Sequence, residues 1–516
     1  MSEAGRVLVV GAGIGGLTAA VELARRGASV TLIEKAERVG GKMREVTVGG
    51  RAIDSGPTVL TMRGVFDEVF EAAGEKLDEH VTLEKVDLLA RHAWSDGSVL
   101  DLYGDIDRSA DAIGRFAGPR EAYGYRRFCE YARNIHEIVK GPFLFSERPS
   151  LVSVVKAFGS IGLGALMKMD GYRTMWGALG DFFEDPRLLQ LFGRYATYSG
   201  SSPFSSPATL NVIAHVEREG VWLVRGGMYR LAEALSGLAT KLGVDIRTGA
   251  AVQEILVEGG RAAGLRLATG EVLRGRAIVL NADAAALTTG LFGRAVKRAA
   301  ESPGQRSLSA VTWSLVGEAQ GFPLVRHNVF FSDDYPREFK QLFDRGAIPD
   351  SPTVYVCAQD RDESGLAAGS EAAGSKLERL FCLVNAPADG DRRALTPTEI
   401  QRCETAMREV LSRCGLTIKE SGSAVVTTPA DFERMFPATG GALYGAASHG
   451  WMAPFSRPAA RSRTPGLYLC GGSAHPGAGV PMVAQSGRLV ASALMQDLAS
   501  TSRSRPAATL GGMSTR

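Results

Sequence analysis

An α/β fold, with a parallel sheet assembled from both ends of the chain and interrupted by two long inserts, is what these 516 residues predict. Three observations carry it. The first forty residues alternate strand, glycine-rich turn, helix and strand. Short apolar segments separated by glycine turns recur between positions 244 and 280. The chain then closes on one more strand, a Gly/Pro-rich loop and a long helical stretch.

Residues 6–10 read as a buried strand, and 11–16 as a turn. Residues 17–26 read as a helix with Leu17, Ala20, Val21 and Ala24 inward and Gly27 at the C-cap. Residues 29–33 form the second strand. Downstream, 244–247, 251–257, 261–267 and 277–280 are short strands parted by Gly259-Gly260 and Thr269-Gly270. The last block is a strand at 467–470, a loop at 471–479 and a helix over 481–498. The expected organisation is therefore a nucleotide-type domain in three pieces, 1–87, 225–286 and 441–498. A substrate domain fills 88–224 and 287–440, and residues 499–516 form a tail without fixed structure.

Composition excludes several classes. Hydrophobic residues make up 45% and charged residues 22%, as in ordinary soluble domains. The net charge of +3 comes from Arg503, Arg505 and Arg516 in the acid-free tail, so nothing suggests a nucleic-acid partner. The six cysteines form no CxxC pair and the seven histidines no HxxxH or HExxH spacing, which predicts reduced thiols and no metal. The apolar run at 7–10 is too short for a signal peptide, and no run of eighteen apolar residues exists.

Gly11-Ala12-Gly13-Ile14-Gly15-Gly16 matches GxGxxG with a strand before it, a helix after it and Glu34 closing the second strand. This is a Rossmann-type dinucleotide turn. Gly11 permits the turn, Gly13 lets backbone approach a diphosphate, and Gly16 allows close packing of helix on strand. Glu34 accepts from the ribose hydroxyls.

After Glu34 comes Gly40-Gly41-Lys42, which resembles the extension found in the flavoprotein superfamily of amine oxidases, carotenoid desaturases and Rab GDP-dissociation inhibitors. The resemblance implies FAD, with Gly41 and Lys42 along the diphosphate and ribityl chain. Asp54-Ser55-Gly56-Pro57-Thr58 resembles the next flavin-contacting loop. Val252 matches the position that meets adenine through its main chain, and Asn281-Ala282-Asp283 the turn under the cofactor; a plain strand and a plain turn are the alternatives. The stretch 467–480, containing Gly471-Gly472-Ser473-Ala474-His475-Pro476-Gly477, followed by Pro481, Met482 and Val483, resembles the C-terminal signature of bacterial phytoene-type carotenoid desaturases, as far as Gly487. A helix N-terminus there faces the negative charge of a reduced flavin. Gly472, Ser473, Pro481, Met482 and Val483 are accordingly expected at the flavin.

The likeness covers almost the whole chain. Glu219-Gly220-Val221-Trp222 and Gly226-Gly227-Met228 fit the same family. Asn211-Val212-Ile213-Ala214-His215-Val216-Glu217 and Asn328-Val329-Phe330-Phe331-Ser332-Asp333-Asp334-Tyr335 resemble its hydroxyneurosporene (methoxyneurosporene) branch. That branch implies introduction of the 3,4 double bond into a 1-hydroxylated acyclic carotenoid, with hydride transfer to flavin and oxygen or a quinone as electron acceptor. Desaturation of phytoene or neurosporene, carotenoid isomerisation and amine oxidation are the alternatives. A non-catalytic prenyl-chain carrier is another, but it goes with damaged FAD motifs, and these are intact. Glu217, Glu219 and Arg225 flank Gly226-Gly227 and are the candidates for the proton-accepting group; His475 either supports the loop or takes part in chemistry. A buried hydrogen-bond partner is expected if a 1-hydroxyl is recognised.

An apolar substrate asks for a dry tunnel. Phe143, Leu144, Phe145, Phe158, Ile161, Leu163, Leu166, Met167, Met169 and Trp176, with Lys156, Lys168 and Arg173 between them, read as an amphipathic stretch at the cytoplasmic face of a membrane or as an ordinary core helix pair.

Overall fold

The computed structural model describes residues 5–141, 146–147, 168–301, 304–362, 365–366 and 376–503. A five-stranded parallel sheet lies at its centre, in the order Asp245–Arg247, Val30–Ile33, Val7–Val10, Ala277–Leu280, Leu467–Leu469. Four of these strands read VLVV, VTLI, AIVL and LYL and are buried throughout, because both faces of a parallel sheet are covered. Successive residues serve opposite faces. Val7, Val9, Leu32 and Val279 pack with the helices Ile14–Ala24, Tyr229–Lys241 and Val480–Arg503. Leu8, Val10, Ile278 and Leu280 pack with Ile255 and Leu265 of the three-stranded meander Val252–Glu258, Arg261–Leu267, Val272–Arg274.

The helices Ile14–Ala24 and Val480–Arg503 cross at Gly487, where a Cβ would stand 2.5 Å from the Gly15 carbonyl oxygen. Only glycine allows that approach. The second helix runs to Arg503, five residues into the segment expected to be unstructured, because Tyr468 and Arg461 bond Asp497 and hold its last turns.

The two inserts build one eight-stranded sheet. Leu88–Ala93 from the first insert joins His327–Phe330 in parallel and carries Val99–Tyr103 antiparallel on its other edge; Val354–Ala358, Glu378–Ala386, Ser309–Gln320, Thr417–Glu420 and Val425–Thr427 complete it. Helices among the described residues of the first insert cover one side around a cluster of Tyr125, Phe128, Phe183 and Phe192. Asp105 caps the helix Ile106–Ala117 by accepting from Arg108, and Gly118 at φ 99° turns the chain into Pro119–Val139.

Most of the amphipathic stretch, including Phe143 to Phe145, Lys156 and Phe158 to Met167, lies outside the described residues. The described part is core rather than lipid face. Met169 is buried against Ile135, Ile138 and Val139, and Trp176 packs on Phe204 at 4.6 Å. Arg173 is paired with Asp170 and Asp181, so its charge is neutralised within the protein; Lys168 is exposed. All six cysteines are buried free thiols. No helix among the described residues is long and apolar enough to cross a membrane.

Candidate cofactor site

The strand order reverses between Val7–Val10 and Ala277–Leu280, and an open parallel sheet receives its ligand in the crevice beyond the strand ends at such a reversal. The turn of Gly11 to Gly16 emerges there. Gly11 adopts φ 96°, and a Cβ on Gly16 would lie 2.0 Å from the Gly11 carbonyl oxygen. The helix beginning at Ile14 has Gly13 as its N-cap, no side-chain cap and no acidic residue in its first turn. Its leading N–H groups are left for an anion supplied from outside the chain. The helix Tyr229–Lys241 differs: Asp54 accepts from Met228 N at 2.7 Å and Tyr229 N at 3.2 Å, closing that end. Burial raises the Asp54 pKa against these two donors.

Glu34 stands at the end of its strand, 8% exposed, accepting from Ala12 N at 2.7 Å and Ala36 N at 2.9 Å. A carboxylate so held keeps its other lone pairs for hydroxyl donors such as a ribose diol. Gly40 N donates to Ala12 O, and Gly41 lies so close to Gly13 that its Cβ would be 3.0 Å from the Gly13 Cα. Gly56 in turn rests on Lys42, where a Cβ would be 2.0 Å from the lysine carbonyl oxygen. Pro57 and Thr58, half-buried, follow from that contact.

Asn281 sits behind both glycine turns. Its Nδ2 donates to Gly11 O at 3.1 Å, its Oδ1 accepts from Cys470 Sγ, and a Cβ on Gly13, Gly15, Gly16 or Gly471 would lie within 3.0 Å of its side chain. It braces the first turn against the last. Val483 fills the gap between Gly15 and Gly472; Pro481 is buried and Met482 half-buried at the start of the same helix. Ser473 Oγ accepts from Ala284 N at 3.0 Å. Val252 opens its strand opposite Leu267 and is half-buried against the meander core.

A charged knot links these turns. Lys42 Nζ donates to Leu443 O at 2.7 Å and Ala442 O at 3.2 Å; burial lowers its pKa to about 8, opposed by Asp283. Arg457 donates to Gly472 O, Tyr444 O and Ala446 O, and burial lowers it to about 10. Burial raises the Asp283 carboxyl despite both cations. Nothing local to Arg457 marks it in the sequence: it sits in an unpatterned Ser-Arg-Pro loop and gains its role only when residues 444–446 and 472 meet.

The candidates for proton transfer are dispersed. Glu217 is buried, with both oxygens accepting from tyrosine hydroxyls, Tyr195 on Oε2 and Tyr198 on Oε1 at 2.6 Å, beside the buried cation Arg194. Glu219 is exposed and pairs with His215 at 3.2 Å; Arg225 is exposed and pairs with Glu84. His475 is buried and its backbone N–H donates to Pro458 O at 2.9 Å. The structure gives Glu217, Glu219 and Arg225 separate partners instead of gathering them at Gly226-Gly227, and His475 lies in the C-terminal loop.

Over residues 14–495 the sequence matches the family described as flavin containing amine oxidoreductase. The chain belongs to this family. A hydroxyneurosporene desaturase of Rubrivivax gelatinosus is 53% identical over 515 residues, 99% of this chain and 97% of that protein. One of Cereibacter sphaeroides is 44% identical over 507 residues, 96% and 99% respectively. Among solved structures, a redesigned putrescine oxidase, 14% identical, matches 95% of this chain and 99% of its own with a TM-score of 0.59, a likeness of fold. The chain is an FAD-dependent oxidoreductase. The residues present fit that cofactor, through the uncapped helix start at Ile14 for a diphosphate and the fixed Glu34 carboxylate for a ribose.

Proposed function

We propose that this chain desaturates an acyclic carotenoid, introducing the 3,4 double bond of a 1-hydroxycarotenoid. The observation that carries the reading is 53% identity across 99% of the chain to a protein named for hydroxyneurosporene desaturation, with every glycine of the cofactor turns in place. FAD supplies the hydride acceptor when bound. The Gly11, Gly13 and Gly16 turn and its helix hold the diphosphate, Glu34 the ribose, and Val252 the adenine. Gly41, Lys42, Gly56, Pro57 and Thr58 line the ribityl chain and ring from one side, and Gly472, Ser473, Pro481, Met482 and Val483 from the other, with Asn281 bracing the two. The chain's remaining task is to dehydrate and align the polyene. Supporting that role, Tyr355, bonded to Thr58 at 2.7 Å, packs on the cluster that contains Tyr195, Val329 and Phe331. The electrons pass on to oxygen or a quinone.

A carotenoid resides in lipid, so the enzyme must meet a membrane, as a peripheral protein at the cytoplasmic face. Trp451 and Met452, 58% and 42% exposed, lie beside Phe455, which packs on the Ile135, Ile138, Val139 and Met169 cluster. An exposed tryptophan and methionine on one turn suit a lipid interface.

The test is to incubate FAD-loaded protein with liposomes carrying 1-hydroxyneurosporene, neurosporene or phytoene and to read products by absorption and mass. A two-hydrogen loss and red shift with the hydroxylated substrate is expected. Conversion of phytoene instead moves the protein to the general desaturases, and no conversion of any of them favours isomerisation or amine oxidation.

A further inference from the structure

Resting on the 3,4-desaturase reading, substrate chemistry restricts where a 1-hydroxyl can be recognised. The hydroxyl oxygen is three bonds from C3 and four from C4, about 4 and 5 Å away at ordinary bond lengths. Whatever holds that hydroxyl therefore lies beside the reacting carbons, and so beside the loop that faces the flavin, rather than at a distant end of the substrate cavity.

Of the polar side chains in that region, Lys42 is committed to Leu443 O and Ala442 O, and Ser473 accepts from Ala284 N. Asp54 is committed to Met228 N and Tyr229 N. Gln359 is committed to the backbone of Asp54, accepting from its N at 3.0 Å and donating to its O at 2.8 Å. Ser55, whose hydroxyl has no hydrogen-bond partner among the described residues, is 2% exposed and lies behind the loop surface that a substrate could reach. Tyr195 and Tyr198 both give their protons to Glu217. Thr58 remains: half-buried, with Oγ1 at 2.7 Å from the Tyr355 hydroxyl, which lies 2.7 Å from His327 Nδ1. Tyr355 is half-buried too, whereas His327 behind it is 5% exposed. The two rings stand on adjacent strands, Val354–Ala358 and His327–Phe330, near-parallel at 16°.

We infer that Thr58, backed by Tyr355 and His327, is the hydrogen-bonding partner of the substrate's tertiary 1-hydroxyl and sets the enzyme's preference for hydroxylated carotenoids. A three-member chain of this kind has two directions. When Tyr355 donates to His327, Thr58 donates to Tyr355 and presents lone pairs outward. When His327 donates to Tyr355, the tyrosine donates to Thr58, and Thr58 donates outward. Both suit an alcohol, which gives and accepts one bond. Burial holds His327 near 3, so it stays a neutral member of the chain and puts no charge beside an apolar substrate. A substrate lacking the hydroxyl leaves the Thr58 end unsatisfied, which is the source of discrimination. Thr58 contacts the substrate; Tyr355 and His327 position it.

The experiment compares kcat/KM for 1-hydroxyneurosporene and neurosporene, in liposomes of one composition, for the wild type, Thr58→Val, Thr58→Ser and Tyr355→Phe. The ratio of the two constants cancels losses of folded or flavin-loaded protein. Thr58→Val and Tyr355→Phe should each lower the ratio tenfold or more, and Thr58→Ser should retain it. Where a variant turns over neither substrate, the ratio of dissociation constants from anaerobic titration of the flavin absorbance replaces it. A wild-type ratio well above one that Thr58→Val and Tyr355→Phe leave unchanged overturns this inference alone. A wild-type ratio near one overturns the 3,4-desaturase reading beneath it.

Discussion

Around the cofactor turns the decisive contacts are backbone against backbone: Gly16 on Gly11, Gly41 on Gly13, Gly56 on Lys42, Gly487 on Gly15. Across the eight-stranded sheet and its helices they are made by side chains brought together from different elements: Glu217 with Tyr195 and Tyr198, Thr58 with Tyr355, and Gln359 reaching the backbone of Asp54. The first kind of contact admits one residue type, because any Cβ collides. The second admits many, because other polar pairs of similar size would close the same gap. The cofactor turns are therefore written into short strings of glycine, while the sheet and its helices depend on pairings that no single stretch reveals.

Substitutions test that contrast. The largest effect is expected for Gly16→Val, which forces side-chain atoms into the Gly11 carbonyl and should yield protein without bound flavin, read from the ratio of flavin to protein absorbance; stoichiometric flavin in this variant would break the comparison. Glu34→Ala removes a charged acceptor and should weaken FAD reconstitution about 10- to 100-fold, as hydrogen bonds to charged groups are worth about 1.5–3 kcal/mol; calorimetric titration of the flavin-free protein checks this. Glu217→Gln belongs to the other region. It leaves one buried tyrosine hydroxyl facing an amide donor and should lower stability by about 1–3 kcal/mol while flavin content stays at the wild-type level. Loss of flavin in that variant would show the two regions to be less separate than the contacts imply.

Lys42 joins the regions and yields a pH effect. Its pKa is about 8 in the folded protein against 10.5 ordinarily, so between these values the unfolded chain binds the proton more readily. Stability from this position is therefore level below about pH 8 and rises as pH climbs toward 10.5. Lys42→Met should lack that rise, seen as a flatter pH dependence of the urea midpoint in flavin-free protein. The smallest effect is expected at the periphery, where Trp451→Ser should cost on the order of 1 kcal/mol in liposome binding by sedimentation, without change in flavin content.

What could be read early follows the same division. The opening and closing strands, Val7–Val10 and Leu467–Leu469, were legible to within a residue as apolar runs bounded by glycine. The helix Ile14–Ala24 begins three residues earlier than expected, inside the glycine turn, and the third meander strand, Val272–Arg274, carries too short an apolar signal to be foreseen. The eight-stranded sheet was not, because Leu88–Ala93 and His327–Phe330 pair although nearly half the chain separates them, and neither carries a mark of its partner. Glu219 and Arg225, attractive for lying next to Gly226-Gly227, have exposed side chains that meet His215 and Glu84, since adjacency along the chain says nothing about the direction of a side chain.

A dinucleotide turn needs residues without Cβ atoms at set spacings, and spacing survives in one dimension, so the parallel sheet, the glycine turns, Glu34 and the family are readable from the chain alone. Folding in three dimensions is what sets Asn281 as a brace between both turns, gathers Lys42, Asp283 and Arg457 in one knot, encloses Glu217 with tyrosines, and brings Thr58 to Tyr355 and His327. Each of these joins distant segments, and the energy that selects it arises only when folding strips water from both partners and leaves each the other's main hydrogen-bonding or electrostatic partner.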